Sequence, residues 1–323
     1  MLQIHSPKKR QRCLDYSSCP IGITPETHNL LKMKPILQLS RFMLLVGCFL
    51  LLTISSVSGN EIDSLRTIYT RGDDSAKFEA LGGIVVYYRN VNIDSAKFYL
   101  KELYSLSTNN NFYRLGRSQM LDGTIYHLQN LYDSAEMLYH TALKTFYKAE
   151  NSKGINSCLN NLGLLYQERG DYKKAGEYLF HNLRLADSLG DKDKISDAYS
   201  NIGILLYWQE QFEEALKYFN LSLALKKEIN DKQGEALLYN NIGGIHYYLE
   251  NYDSVLDSFK HALAICQEMN YLRGQAAPYF NIGEVYFEKK QDYKSALYHY
   301  KKSYDIQLKI GDINGQAASL SRM

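Results

Sequence analysis

An all-α solenoid, a row of antiparallel helix pairs, is the fold class this 323-residue sequence predicts, and three observations predict it. Glycine recurs at positions 83, 123, 163, 203, 243 and 283, so one 40-residue interval is kept five times in succession. Inside each interval apolar residues fall three and four apart, which is the spacing of one helix face. Five prolines, of which only Pro278 follows Pro35, together with 28 tyrosines and abundant Leu, Ala and Lys, suit long helices with aromatic packing.

Residues 1–59 read as an N-terminal leader. The apolar run FMLLVGCFLLLTISSV, Phe42 to Val57, follows Lys34 and Arg41 and ends at Ser58-Gly59-Asn60. A basic flank, an apolar centre and small residues before a polar start make a secretory signal, with cleavage after Gly59. The run is short for a spanning helix, which needs about 20 residues, so an uncleaved anchor is the alternative. Residues 1–32, with Lys8-Lys9-Arg10 and Thr24-Pro25-Glu26, are long and polar for a signal front, which makes Met33 a candidate start. Leu45-Val46-Gly47-Cys48 resembles the lipobox of bacterial lipoproteins, but apolar FLLLTI follows it where polar residues usually stand. The expected location is outside the cytoplasm, periplasmic or otherwise extracytoplasmic, with membrane anchoring as the variant of that reading.

The repeats come next. Residues 60–111 hold Gly83, but Gly82 stands where Leu or Ile stands elsewhere and Ser95-Ala96 is displaced, so this is expected to be a degenerate repeat acting as an N-terminal cap. Residues 112–310 hold five repeats. Twelve residues beyond each glycine comes a small residue, Ala135, Ala175, Ala215 or Val255, and one inserted residue moves the last to Ala296; an aromatic such as Tyr132, Phe212 or Tyr293 precedes it by three. For the unit around Gly163 the first helix is expected at about residues 155–169, the turn at Gly170-Asp171 and the second helix at about residues 172–189. Gly123, Gly163, Gly203, Gly243 and Gly283, with the small column, are structural positions: Gly163 and Ala175 should let two helices approach, and bulk at Ala175 should overpack the contact by about 1–3 kcal/mol. Gly234 and Gly274 precede their unit glycines by nine, so Gly315 predicts another at position 324, and residues 311–323 are expected to begin a further repeat in a longer protein.

Glycine, an aromatic three later, a small residue twelve later and an aromatic four after that resembles the tetratricopeptide repeat. Gly163-Tyr166-Ala175-Leu179, Gly203-Ala215-Phe219, Gly123-Tyr126-Ala135-Tyr139 and, allowing for the insertion, Gly283-Tyr286-Ala296-Tyr300 carry the resemblance over about residues 112–310. The 40-residue period departs from the usual 34, the closing proline is missing, and Leu206 and His246 replace the expected aromatic. Longer units of this kind look like the variant in kinesin-light-chain-type scaffolds and bacterial sensor and regulator proteins. The resemblance implies a right-handed superhelical solenoid whose first helices line a concave groove that binds protein segments.

Helical periodicity divides each first helix into two sides. Leu159, Leu162 and Tyr166, like Tyr279, Ile282 and Tyr286, share the core stripe, which neighbouring units must continue because one pair cannot bury its own apolar face. The opposite arc carries Asn161, Asn201, Asn241 and Asn281, with Asn160 and Asn240 one place earlier. An amide offers donors and an acceptor to the main chain of an extended peptide, while holding neighbouring helices together is an equally open role. The same arc carries Tyr207-Trp208, Tyr247-Tyr248 and Phe287, which favours a groove that takes apolar side chains, aromatic residues being common anchors at interfaces. A basic clamp for a terminal carboxylate is not supported, since Ser157, Asp197, Leu237 and Ala277 fill its column.

No phosphate loop, HExxH, nucleophile elbow or paired-cysteine motif occurs, so no catalytic residue, metal or cofactor is expected. Cys158 and Cys266 are far apart and read as small buried residues, and His246 as a satisfied core histidine. From Asn60 onward 30 basic and 33 acidic residues leave the body near neutral, which argues against nucleic acid as a partner. The expected function is a non-catalytic scaffold that binds a protein or extended peptide. Its alternative is the extracytoplasmic sensory region of a larger histidine kinase or transcriptional regulator.

Overall fold

The computed structural model describes residues 59–107 and 111–323. The expectations for Phe42 to Val57, Met33 and Cys48 lie outside the described residues.

Fourteen helices and no strands occur among the described residues. They are α1 (Gly59–Arg71), α2 (Asp74–Tyr88), α3 (Ile93–Ser105), α4 (Phe112–Leu128), α5 (Tyr132–Lys148), α6 (Ser152–Glu168) and α7 (Tyr172–Ser188). There follow α8 (Lys192–Trp208), α9 (Phe212–Glu228), α10 (Lys232–Tyr248), α11 (Tyr252–Glu268), α12 (Leu272–Glu288), α13 (Tyr293–Ile310) and α14 (Ile313–Arg322). Each packs on the next, as an all-α solenoid of antiparallel pairs requires. None is long and apolar enough to cross a membrane.

The 40-residue period is two equal halves. Helices α4 to α12 are each 17 residues long and separated by three. The three linking residues do two jobs at once. After α6, Gly170 takes φ +76°, its N–H bonds Gln167 O at 3.0 Å, and the Asp171 N–H bonds Tyr166 O at 2.9 Å, which is the Schellman closure of a helix end. Asp171 then turns its carboxylate onto the Lys174 N–H and caps α7. Asp191 and Asp231 repeat this double role before α8 and α10. A residue that ends one helix and starts the next leaves little freedom in the angle between them.

The left-handed link position recurs every 20 residues, and only Gly170, Gly190 and Gly311 fill it with glycine. Glu150, Glu210 and Glu250 occupy it at φ 49°, 60° and 58°. Left-handed backbone costs an L-residue about 1–2 kcal/mol, part of which glycine returns as unfolded-state entropy. Glu210→Gly and Glu250→Gly are each expected to stabilise the chain by about 0.5–1 kcal/mol. A rise in the urea midpoint checks this, and a fall would show that the glutamates make contacts outweighing the backbone strain.

The unit glycines are sockets for rings. A Cβ on Gly123 would lie 2.8 Å from Tyr139, on Gly203 3.0 Å from Phe219, on Gly243 2.6 Å from Phe259 and on Gly283 2.8 Å from Tyr300. At Gly163 the occupant is Leu179, at 2.6 Å, while the nearest atom of Ala175 is its carbonyl oxygen at 3.5 Å. The helices do approach closely at Gly163 and Ala175, and the glycine in addition makes room for the large side chain sixteen or seventeen residues on. Ala135, Ala175, Ala215 and Ala296 are buried beside it.

The inserted residue sits in the link at residues 289–292, and a link of the same length, residues 89–92, joins α2 to α3. Ala96 thereby reaches the buried small-residue place, so the displacement at Ser95-Ala96 is a longer turn and α2 and α3 pack as a helix pair behind α1. At the other end α14 occupies the place of a first helix, with Asp312 capping the Gly315 N–H at 3.0 Å.

Polar bonds also join the two helices within a pair. Asn156 and Asn182 exchange amide bonds with each other's main-chain oxygens at 2.9 and 2.8 Å, and Ser196 and Ser222 do the same one unit later at 3.0 and 2.8 Å. Between pairs, first helix meets first helix: α2 with α4, α4 with α6, α6 with α8, and α10 with α12. Helices that abut in one layer while the other layer splays put the abutting layer on the inside of the curve.

Candidate functional site

Along this inner layer runs one groove of about 830 Å³, from Arg89 at the end of α2 to Pro278 in α12. Successive turns of the same helices line it, because positions six, three and two before the unit glycine, and one after, point away from the core. On α6 these are Ser157, Asn160, Asn161 and Leu164; α8 adds Asp197, Ser200 and Asn201, and α10 adds Leu237 and Asn240.

Adjacent first helices are joined by side chains 41 residues apart, one more than the period. In one row the Asn201 Nδ2 donates to Asn160 Oδ1 at 2.6 Å, and the Asn281 Nδ2 to Asn240 Oδ1 at 3.0 Å. In a second row, nearer the helix ends, His127 Nε2 meets Glu168 Oε2 at 2.8 Å, the Tyr207 hydroxyl donates to Tyr248 at 3.0 Å, and Tyr247 donates to Glu288. Neighbouring helices standing side by side with a one-residue offset bring these columns together.

The ten expected groove side chains separate under this geometry. Asn160, Asn161, Asn201 and Asn240 line the groove. Asn161 has no side-chain hydrogen bond, because Met120 stands where a partner amide would, and it is free for another chain. Asn160 and Asn201 spend one group on each other and keep an amide N–H₂ and a carbonyl oxygen respectively. Asn241 and Asn281 are corrected: at 1% and 3% exposure they are buried between helices, each with an Oδ1 that no group satisfies.

The aromatic column is corrected too. Tyr207, 3% exposed, packs its ring 5.4 Å from Tyr248, which stacks on Phe212 at 5.0 Å. Trp208 packs edge-on to Tyr207, Tyr247 lies against Tyr252 with Lys289 over both rings, and Phe287 meets Tyr293 at 5.5 Å. Tyr207, Trp208 and Tyr247 fill the seam where first helices turn into second helices, Phe287 stays 38% exposed, and none of the four is among the groove-lining residues. The lining interleaves amides, hydroxyls and charges with apolar side chains, Leu128, Leu164, Ala236, Leu237, Leu238 and Pro278 among them.

Periodicity gave no signal for the charged part of the site. Lys226, from a second helix, reaches the groove with its side chain 9% exposed and pairs with Asp193, Asp197 and Asp231 at 2.6, 3.0 and 3.1 Å. Burial would lower its pKa, but the hydrogen bonds it donates to Asp193, Asp197 and Asp231 outweigh this and hold the ammonium above the usual lysine value. Asp193 is held below the usual carboxylate value, its burial being overcome by Lys226 and Lys194. The (i, i+4) pair Asp193 and Asp197 in the sequence was the one available hint.

Elsewhere the chemistry is quiet. Burial pushes the Cys158 thiol up to about 12 and Cys266 up to about 11, which leaves both unreactive as thiolates. His246 is corrected from a satisfied core histidine to one whose buried Nδ1 lacks a partner, and burial holds its pKa below the usual value.

Comparisons with known proteins agree with this geometry. A family model described as tetratricopeptide repeat matches residues 154–228, 194–268 and 234–309. No curated protein matches the chain. Among solved structures the chain is similar to BtubC (BKLC) from P. vanneervenii, at 21% identity and TM-score 0.58 over 69% of this chain and 92% of that one. It is similar to a signal transduction ATPase with numerous domains and a tetratricopeptide repeat sensor from Pyrococcus horikoshii, at 18% identity and TM-score 0.57, covering 83% of this chain and 43% of that one. It is also similar to a Rap protein complexed with competence and sporulation factor, at 15% identity and TM-score 0.60, covering 80% and 77%. At these identities the structures speak for the fold alone. The 20-residue half-units, the glycine sockets and the three overlapping family matches identify residues 154–309 as tetratricopeptide repeats.

Proposed function

We propose that the chain is a non-catalytic scaffold that holds an extended segment of another protein in the groove along its first helices. The observation that carries this reading is Asn161, a free amide in a groove of mixed polar and apolar lining, flanked by Asn160, Asn201 and Asn240 with bonding capacity left over. Amides spaced at the repeat can pair with main-chain N–H and C=O groups whatever the side chains of the guest. The Rap structure, solved with competence and sporulation factor, supports the reading by its likeness in fold.

The same proposal puts the scaffold outside the cytoplasm, on the strength of the run from Phe42 to Val57 after Lys34 and Arg41.

Capture from an extract of the native host tests the groove. The full chain should retain a partner that the Leu164→Arg variant loses, with helix content unchanged by circular dichroism. Equal yields from both proteins would remove the assignment.

A further inference from the structure

Three Lys or Arg side chains line the groove: Arg89, Lys194 and Lys226. Lys194 bonds Asp193 and Asp197 at 3.1 and 3.0 Å, and Lys226 bonds three carboxylates. The lining carboxylates are likewise taken, Glu168 by His127, and Asp197 and Asp231 by the lysines. Arg89 alone among the three has no carboxylate. Its Nε is buried without a hydrogen-bond partner, and the titratable group it feels most is the neutral hydroxyl of Tyr139.

Its place in the chain explains how an unpaired guanidinium survives there. Arg89 is the C-cap of α2, its own N–H bonded to Val85 O at 2.9 Å, so its charge sits where the carbonyl end of a helix favours a cation. Along that end of the groove Asn90, Thr124, Asn130 and Tyr139 are neutral donors and acceptors, Leu128 is apolar, and His127 is engaged by Glu168 at 2.8 Å. An arginine with a buried Nε, a planar fork of further donors and no anion is arranged to receive one carboxylate in two parallel bonds.

Resting on the groove reading above, we propose that Arg89 anchors a carboxylate of the bound peptide at the α2 end, while the asparagines further along hold its main chain. The guest is then an extended segment with an acidic side chain or a free C-terminus at one end and neutral residues over α6, α8 and α10. An acidic stretch over α8 to α10 would meet Asp193, Asp197 and Asp231, a cluster of three carboxylates around two lysines, and gain nothing there.

The test uses the full chain and four pools of short fluorescent peptides of mixed Ala, Ser, Thr and Val. One pool carries a single Asp at varied positions, one carries Asn there instead, and each is made with a free or an amidated C-terminus. Anisotropy titrations should show the carboxylate-bearing pools bound about tenfold more tightly than the amidated Asn pool, as a charge-assisted bond allows. Arg89→Gln should bring all pools to the neutral level, and Arg89→Lys should keep part of the preference. Which of Asp and free C-terminus carries the effect identifies the source of the carboxylate. Equal binding of all four pools, or a preference that Arg89→Gln retains, overturns the anchor and leaves the groove reading standing. Binding to no pool, or binding that Leu164→Arg fails to weaken, overturns the groove reading and the anchor with it.

Discussion

Gly243→Ala, a change that in most helices stabilises by about 1 kcal/mol, is expected to destabilise this chain by about 2 kcal/mol. The new Cβ would lie 2.6 Å from Phe259 Cε1, and that ring is 2% exposed and locked among Val255, Leu256, Ile282 and Val285. Phe259→Ala should cost about 3–5 kcal/mol by leaving a cavity. Combining the two fills part of that cavity, so the double variant should lose at least about 1 kcal/mol less than the sum. Urea unfolding followed by circular dichroism measures all three. If Gly243→Ala stabilises, the glycine column is not a socket and the explanation of the 40-residue register fails.

The second large effect lies in the charge cluster. Lys226→Met leaves Asp193, Asp197 and Asp231 facing one another with Lys194 as the remaining cation. Removing one partner of a buried pair costs about 3–5 kcal/mol, and since these carboxylates are a third to a half exposed, about 2 kcal/mol is expected at neutral pH. The sign of its pH dependence follows from two opposite shifts. Asp193 is held below its unfolded pKa, so its contribution is present above the usual carboxylate range and is lost as pH falls through its folded value. Lys226 is held above its unfolded pKa, so its contribution is present below the usual lysine value and is lost as pH rises through its folded value. The gap between wild type and Lys226→Met should therefore be widest near neutral pH and close as pH falls below the usual carboxylate range and through the folded value of Asp193. A gap constant from neutral to acid would mean that Lys226 acts through the packing of its methylene stem.

Much of the fold was legible because its determinants are local. The link signals Gly170-Asp171 and Gly190-Asp191 act within six residues of chain, closing one helix and capping the next, and they recur with the period. The site was less legible. The helical wheel correctly turned Asn161, Asn201, Asn241 and Asn281 away from the core stripe, yet the four meet different fates. Asn161, with Met120 forty-one residues before it, stays free, Asn201 finds Asn160, Asn281 finds Asn240, and Asn241, with Ser200 forty-one residues before it, is buried with its Oδ1 unsatisfied. Tyr207 and Tyr247 were turned outward by the same wheel and then covered by the neighbouring first helix and by Phe212 and Tyr252.

By itself, the sequence determined the helical class, the 40-residue unit and the alternation of core stripe and outer arc. Each of these depends on backbone propensity, turn chemistry and apolar spacing within a few residues. Only the tertiary structure decided which part of the outer arc is a surface, that the unit glycine receives the large side chain sixteen or seventeen residues on, and that Arg89 stands in the groove without an anion. Those depend on the one-residue offset between adjacent first helices, which is set by the shapes of whole packed layers and is written at no single position.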